Sequence, residues 1–585
     1  SLLRSRAMRL CLKVLVGLVL AALLVFGLIL LIAFPLGIFP ALIKQRLLLS
    51  NANGTVSSYW QKLPMDGYYD FYMFNTTNPD EVEFFGMKAS VQEVGPYSFK
   101  ESETKDDINW LEDGTQVFFK NEKRWIYDPS TSCKKCTYDD EFVLPNAAYM
   151  AVSNLGKKSH IGKANRLLLD LTLLLLGEYP YRKVSMKGVL FDSYKDPLID
   201  TMNSKFFTND IPKFLNRTIE EIIGFPPPDL KLVGYFPKYN NTNDETYIVK
   251  TGKSKASGLN SIVNWAGSPK LQWWGDDYAN DLQGTTDGSF NKPFPKKTDS
   301  YRIFQSFSCR TFPMNYEKDD TVSGVDGYVF RISPDSYNTQ LSINHGYIVN
   351  NTFNKNYFPD WPCGGKPIPL RSNETDCRSV NCKYPENFCT PCCKGSNIRG
   401  RTHLPPGLVE LKCFPGHNKS MLIPAMISPP HFVDSPREVY ESINGLTPIR
   451  SKHNSGHFTL QTYTGNAIDA RFRLQLSIPV YQDDDLTSLN HMRSSMIPCF
   501  WLEVRVSLLP YAIDFLHTNT TVIPKAILGV GIGLTALSCI LATLFFFCLI
   551  RKRERRTFEL TEFEKFSKPV SHPNAWSSSE RASQY

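Results

Sequence analysis

Two long uncharged runs bracket the chain. Between Lys13 and Lys44 lie 30 residues without a charge, VLVGLVLAALLVFGLILLIAFPLGIFPALI, and between Lys525 and Arg551 lie 25 more, AILGVGIGLTALSCILATLFFFCLI. A helix needs about 20 apolar residues to cross a bilayer. The pattern therefore predicts transmembrane helices at 14–38 and 525–550. The first run is about twice the usual signal-peptide core, and no small-residue cleavage site follows promptly, so it reads as an uncleaved span.

The texture between the spans is different. Short runs rich in Val, Ile, Tyr and Phe are broken by Gly, Pro, Asn and Asp, as in TQVFFKNEKRWIYD, DGYVFRIS and CFWLEVRVSLLP. These are strand signals. In RFRLQLSIPV, Phe472, Leu474, Leu476 and Ile478 face one way and Arg471, Arg473 and Gln475 the other. That alternation predicts a mainly antiparallel β domain. No low-complexity linker or repeat divides residues 39–524, so they read as one domain with helical insertions. The clearest insertion is NLGKKSHIGKANRLLLDLTLLLLGEYPYRKVSMK (154–187), a Leu-rich helix too short to span a bilayer.

Composition adds little until charge is placed on this map. Apolar residues make up 42% and charged residues 21%, as in a folded protein. The 65 Lys and Arg exceed the 57 Asp and Glu by eight. Four of that excess lie in the tail 1–13 and three in the tail 551–585, leaving +1 for everything between. The positive-inside rule then puts both tails in the cytosol and 39–524 outside or in a lumen. The surplus reports orientation, which removes the nucleic-acid reading. One local excess remains. Lys157, Lys158, Lys163, Arg166, Arg182, Lys183 and Lys187 face only Asp170 and Glu178 within 154–187. An apolar helix ringed by cations suits anionic lipid, a lipoprotein surface or an acidic protein. A packed helix with a solvated basic rim fits as well.

Sequons at Asn53, Asn75, Asn216, Asn240, Asn350, Asn373, Asn418 and Asn519 all lie between the spans, as expected of a glycosylated ectodomain. Eleven of the 14 Cys lie there too. Six of them, Cys363, Cys377, Cys382, Cys389, Cys392 and Cys393, crowd one loop, where stapling disulfides are favoured over zinc outside the cytosol. Cys133 and Cys136 read as a local bridge. Eleven is odd, and Cys499 in MIPCFWLEV is the candidate buried free thiol. Cys11 and Cys548, near the cytosolic face, are palmitoylation candidates.

The stretch YMFNTTNPDEVEFFGMKASVQEVGPYSFKE (72–101) resembles the signature of the class B scavenger receptor family. Further matches follow in order: SYKDPL (193–198), VKTGKS (249–254), QGTTDGSF (283–290), SCR (308–310), PPHF (429–432), INGLTP (443–448) and YTGNAIDARFRLQL (463–476). The resemblance implies an α+β fold: a large antiparallel β-barrel-like ectodomain, an apical helical bundle at about 150–215, and an internal apolar tunnel. It pairs Cys309 with Cys413, while the Cys-rich loop at 363–413 is richer in Cys than the family pattern and its pairings stay open. It puts ligand-binding cations near Arg182 and Lys183, with Lys187 as a third. Two departures stand out: Ala279 replaces an expected Cys, and Phe191 an expected Trp.

Rival classes find little support. Thr251-Gly252-Lys253-Ser254 mimics a phosphate-binding loop, but Tyr247 occupies the place of the required glycine. The chain has no HExxH, GxSxG or EF-hand pattern, and Asp287-Gly288-Ser289 is too short to define an ecto-enzyme. A two-span ion channel would want a polar pore. Here Gly529, Gly531 and Gly533 instead suggest close helix packing within a chain or between chains of a homo-oligomer. The expectation is a non-enzymatic plasma-membrane receptor, with a carrier receptor for a luminal protein in the lysosomal membrane as the alternative. It binds lipoproteins or anionic lipids at its apex and passes fatty acids or sterol esters inward. No cofactor or metal is called for.

Overall fold

The computed structural model of the chain describes residues 2–33, 44, 46–49, 53–224, 231–237, 239–350 and 403–566. The six Cys of the crowded loop and Asn373 fall outside these. The chain forms two units, one of residues 1–42 with 518–585 and one of residues 43–517.

The smaller unit pairs helix α1 (Leu2–Ala33) with helix α5 (Ile523–Phe566). Both are long and apolar enough to cross a membrane. They approach closely at Gly27, where a Cβ would lie 2.6 Å from Thr535 Oγ1. Of the three glycines in α5, Gly531 packs on Leu30 and Leu31. Gly529 and Gly533 meet nothing within 4 Å among the described residues. Cys11 and Cys548 are exposed thiols.

The larger unit is built on fifteen strands: β1 (Met65–Thr76), β2 (Val91–Leu111), β3 (Gln116–Tyr127), β4 (Glu141–Pro145), β5 (Tyr181–Ser185), β6 (Thr242–Lys250), β7 (Ile262–Trp265), β8 (Ser300–Gln305), β9 (Arg310–Val322), β10 (Val325–Ile332), β11 (Val409–Glu410), β12 (Met426–Ser428), β13 (Gly456–Gln461), β14 (Ala467–Val480) and β15 (Ser495–Leu508). Eleven follow the antiparallel path β7-β6-β3-β2-β1-β15-β14-β13-β10-β9-β8; β12 joins β14 and carries β11, while β4 and β5 pair apart. The two ends of the path are bridged by the GTTDG segment. Ile262 donates its N–H to the Thr285 carbonyl at 2.8 Å, and Phe304 donates to the Thr286 carbonyl at 2.8 Å. The sheet thus closes into the barrel-like form that the family resemblance implies, with no long edge left to pair elsewhere among the described residues.

Other matched segments meet on the outer surface. His431 of PPHF hydrogen-bonds Glu93 of EVGPY at 2.6 Å through Nε2, while its Nδ1 accepts from the Thr447 N–H of INGLTP. Burial alone would raise the Glu93 carboxyl, but His431 and Trp501 hold it at about 2. The motif blocks thus knit strand to covering loop. Cys133 is bonded to Cys136, and Cys309 to Cys413. Cys499 is a buried free thiol, pushed up to about 12 by burial.

Candidate functional site: an apical leucine face and the barrel interior

Two short helices follow β4: α3 (Ala147–Lys158) and α4 (Lys163–Leu175). Asn146 caps α3 by accepting the Tyr149 N–H at 3.3 Å. Gly177, with φ of 66°, ends the Leu-rich run in the left-handed conformation that glycine adopts without strain.

Helix α4 is inside out. Residues three and four apart share a helical face, and the buried stripe here is Arg166, Asp170 and Leu173. Arg166 pairs with Asp483, and its Nε lies 2.8 Å from Asp485. Asp170 accepts from the Thr487 N–H and hydroxyl at 2.8 and 2.7 Å. The loop joining β14 to β15 therefore holds α4 by its charges, at the end of the barrel where β15 begins. Leu167, Leu168, Leu171 and Leu175 face outward, between 48% and 87% exposed. Phe206, Phe214 and Leu215 on nearby short helices are exposed too.

The expected ring of cations looks different once folded. Arg166 is buried in its carboxylate pairs. Arg182 is tied to Asp196 at 2.8 Å and Glu178 at 3.1 Å, both buried. Burial, with Glu178 beside it, pushes Asp196 up to about 6. Lys183 pairs with Glu141 at 2.5 Å, Lys187 with Asp139, and Lys158 with Glu410 at 3.9 Å. Lys157 donates to the Gln482 carbonyl at 2.6 Å. Only Lys163 of the seven has no such contact among the described residues. Most of the local surplus is paired with acids from other segments, so the α4 surface presents leucine more than unpaired charge.

Among the sequons, Asn53, Asn216 and Asn350 are exposed, whereas Asn418 and Asn519 are half-buried. Asn75 and Asn240 are half-buried too, and their side chains make backbone contacts. Asn75 Oδ1 accepts the Val143 N–H, and Asn240 spends both amide atoms on the Trp125 backbone.

Inside the barrel, the strands stack residues in layers because alternate side chains point inward. Toward the end where β1 begins and β15 ends, Gly67, Glu101, Glu103, Lys123, Asp244 and Val506 line a cavity of about 150 Å³. The next inward positions, Phe71, Phe99 and Phe500, join Phe191 and Phe236 in edge-to-face contacts at 5.2–6.2 Å, with Trp125 stacked on Phe191. Any tunnel along the barrel passes this aromatic layer and then a charged one. Sequence reasoning missed the charged layer. Its signal was alternation on β2, where Glu101, Glu103 and Lys105 continue the inward face of Tyr97 and Phe99.

The CD36 family profile matches residues 18–549. An uncharacterized Caenorhabditis elegans protein is 32% identical over 499 residues, covering 84% of this chain and 88% of the relative. Scavenger receptor class B member 1 of Bos taurus is 23% identical over 92% of this chain and 90% of its own. Lysosome membrane protein 2 of Rattus norvegicus is 24% identical, with coverages of 84% and 86%. With a profile match across nearly the whole length, two apolar terminal helices and a closed antiparallel ectodomain between them, the chain is a membrane protein that belongs to the CD36 family.

Proposed function

We propose that the protein is a plasma-membrane receptor that docks lipid-bearing particles or anionic lipid surfaces through the leucine face of α4. The single observation behind this reading is the inverted helix. A soluble helix normally buries its leucines and exposes its charges; here Arg166 and Asp170 are spent as buried anchors and four of the seven leucines are left outside. Such a patch marks a contact surface. Both tails lie in the cytosol on this reading, supported by the basic residues flanking each span. The tail has no acidic dileucine signal, which favours the cell surface over the lysosomal membrane. Lipid taken from the particle, fatty acid or sterol ester, then moves through the barrel interior as the rings of Phe71, Phe99 and Phe500 part. The reading needs no catalytic chemistry.

The test is a triple variant, Leu167→Gln/Leu171→Gln/Leu175→Gln. These side chains are exposed, so each change alters stability by no more than about 0.5 kcal/mol. Each leucine buried on docking contributes up to roughly 1.5–3 kcal/mol, and tenfold in affinity is about 1.4 kcal/mol. Binding of labelled lipoprotein to cells bearing the variant at wild-type surface density falls by at least about tenfold. Lys183→Glu stays within about twofold, because its partner Glu141 and its own head are both solvated. Undiminished binding by the triple variant refutes the reading. Arg182→Glu is no test of surface charge, since it places a third acid beside buried Glu178 and Asp196.

A further inference from the structure

The inversion seen in α4 occurs a second time at the same end of the barrel. Helix α2 (Pro79–Phe85) follows β1 where β15 begins. Its buried side chains are Val82 and Glu83. Phe84 and Phe85 point outward, 59% and 77% exposed, and Met87 just past the helix is 54% exposed. A helix covering a barrel would ordinarily turn its rings inward and its glutamate out. Three large apolar side chains exposed within four residues mark a contact surface.

Both inverted helices are held by one loop, the segment joining β14 to β15. Thr487 donates to Asp170 of α4 through its N–H and its hydroxyl. The next residue, Ser488, is hydrogen-bonded to Glu83 of α2. Arg493 Nε donates to the Gly86 carbonyl at 2.8 Å. Adjacent residues have Cα atoms about 3.8 Å apart, so α2 and α4 flank the same point of the loop. Gly86 has a φ of 61°, and a Cβ there would lie 2.5 Å from the His491 carbonyl oxygen. Only glycine lets the turn press this closely on the loop. The backbone that carries the rings is therefore fixed before a partner arrives, which lowers the ordering cost of binding.

The exposed charges around the two apolar patches are of both signs, Asp80, Glu81 and Asp484 against Lys163 and Arg493. No acid pairs with Arg493 among the described residues. We propose that α2 and α4 are two wings of one docking face whose occupant is a zwitterionic phospholipid surface. Phe84, Phe85 and Met87 enter the acyl level beside the leucines of α4, as aromatic rings do at a bilayer interface. The charges stay at the level of the heads. A phosphocholine head brings a cation to Asp80, Glu81 and Asp484 and a phosphate to Arg493 and Lys163. A surface of net negative charge satisfies the cations and repels the acids. The inference rests on the reading that this end of the barrel docks on lipid, and adds to it a second contact site and a headgroup class.

The probe is phosphatidylcholine vesicles, with or without phosphatidylserine, flowed over the full-length chain held in nanodiscs. Phe84→Ser/Phe85→Ser weakens vesicle binding at least about tenfold. Its rings are exposed, so it keeps the fold, and an unchanged denaturant midpoint checks this. Combining it with the triple leucine variant multiplies the two losses, as independent contacts do. Phosphatidylserine changes wild-type affinity by no more than about twofold. A second arm preserves the aromatic shape: p-benzoylphenylalanine in place of Phe85 forms adducts with radiolabelled vesicle phosphatidylcholine on irradiation. The same group in place of Ile126, exposed on β3, forms far fewer. A ring variant that binds vesicles within about twofold of wild type, or equal adducts at both positions, would overturn the proposal. A ring variant that loses lipoprotein but keeps vesicles assigns this wing to a protein surface and overturns the lipid occupant. A tenfold or larger gain from phosphatidylserine overturns the headgroup class. Weaker binding by the leucine variant alone leaves the docking reading standing without this wing, and weaker binding by neither variant removes both.

Discussion

Replacing Arg166 with methionine lowers the stability of the ectodomain by about 3–5 kcal/mol, the usual cost of removing one partner from a buried ion pair. Arg166 meets Asp483 and Asp485 from a site that is 7% exposed, and Asp483 is 5% exposed. Asp485 is half in solvent and relaxes, so the loss comes chiefly from the Asp483 carboxylate left in a site built around a guanidinium. The double variant Arg166→Met/Asp483→Leu recovers most of the loss, since a matched apolar pair can substitute for a buried ionic one. Denaturant midpoints of the three proteins check this. Limited proteolysis adds a local readout, with cleavage near 160–176 appearing in the single variant. A single variant as stable as the wild type would mean that α4 is not held by its charges.

The second large effect concerns Cys309 and Cys413. Both are fully buried, and their disulfide closes a segment with a sequence separation of 104. In the chain-entropy picture a loop of about 100 residues is worth roughly 4.7 kcal/mol, within a measured range that reaches about 5. Changing both to alanine avoids a stray thiol and lowers the denaturant midpoint accordingly. The neighbourhood loses order as well, because the Trp274 indole donates to the Cys309 carbonyl at 2.8 Å and Arg310 is stacked 3.9 Å from the Tyr347 ring. A midpoint shift under about 1 kcal/mol would show that the covering loops are held without the bridge.

The strands were legible because an antiparallel sheet obeys a rule of period two, while its closure into a barrel was legible only through the family resemblance. Phe472, Leu474, Leu476 and Ile478 read as one face and fold as one face, as part of β14. The spans were equally plain, since a run without charge has one physical use. What stayed hidden was pairing across distance. The seven apical cations were counted against two acids, yet Asp139, Glu141, Asp196, Glu410, Asp483 and Asp485 arrive from other segments and neutralise most of them. The leucines of α4 read equally well as a lipid-facing helix or a packed one. Nothing local told that Arg166 and Asp170 would take the inward face instead. Glu101, Glu103 and Lys123 drew no reading from the sequence, because a strand closed into a barrel has an inside that composition does not reveal.

On the proposed reading, docking at the leucine face of α4 is driven by apolar contact more than by charge. Salt separates the two, because screening shrinks the Debye length from about 10 Å at 0.1 M to about 3 Å at 1 M while leaving apolar burial intact. The deciding measurement is wild-type affinity for labelled lipoprotein across that range of sodium chloride. Docking through Leu167, Leu168, Leu171 and Leu175 predicts an affinity that changes by no more than about twofold. A loss of about a hundredfold or more would show that the cations carry the binding, and would contradict the account.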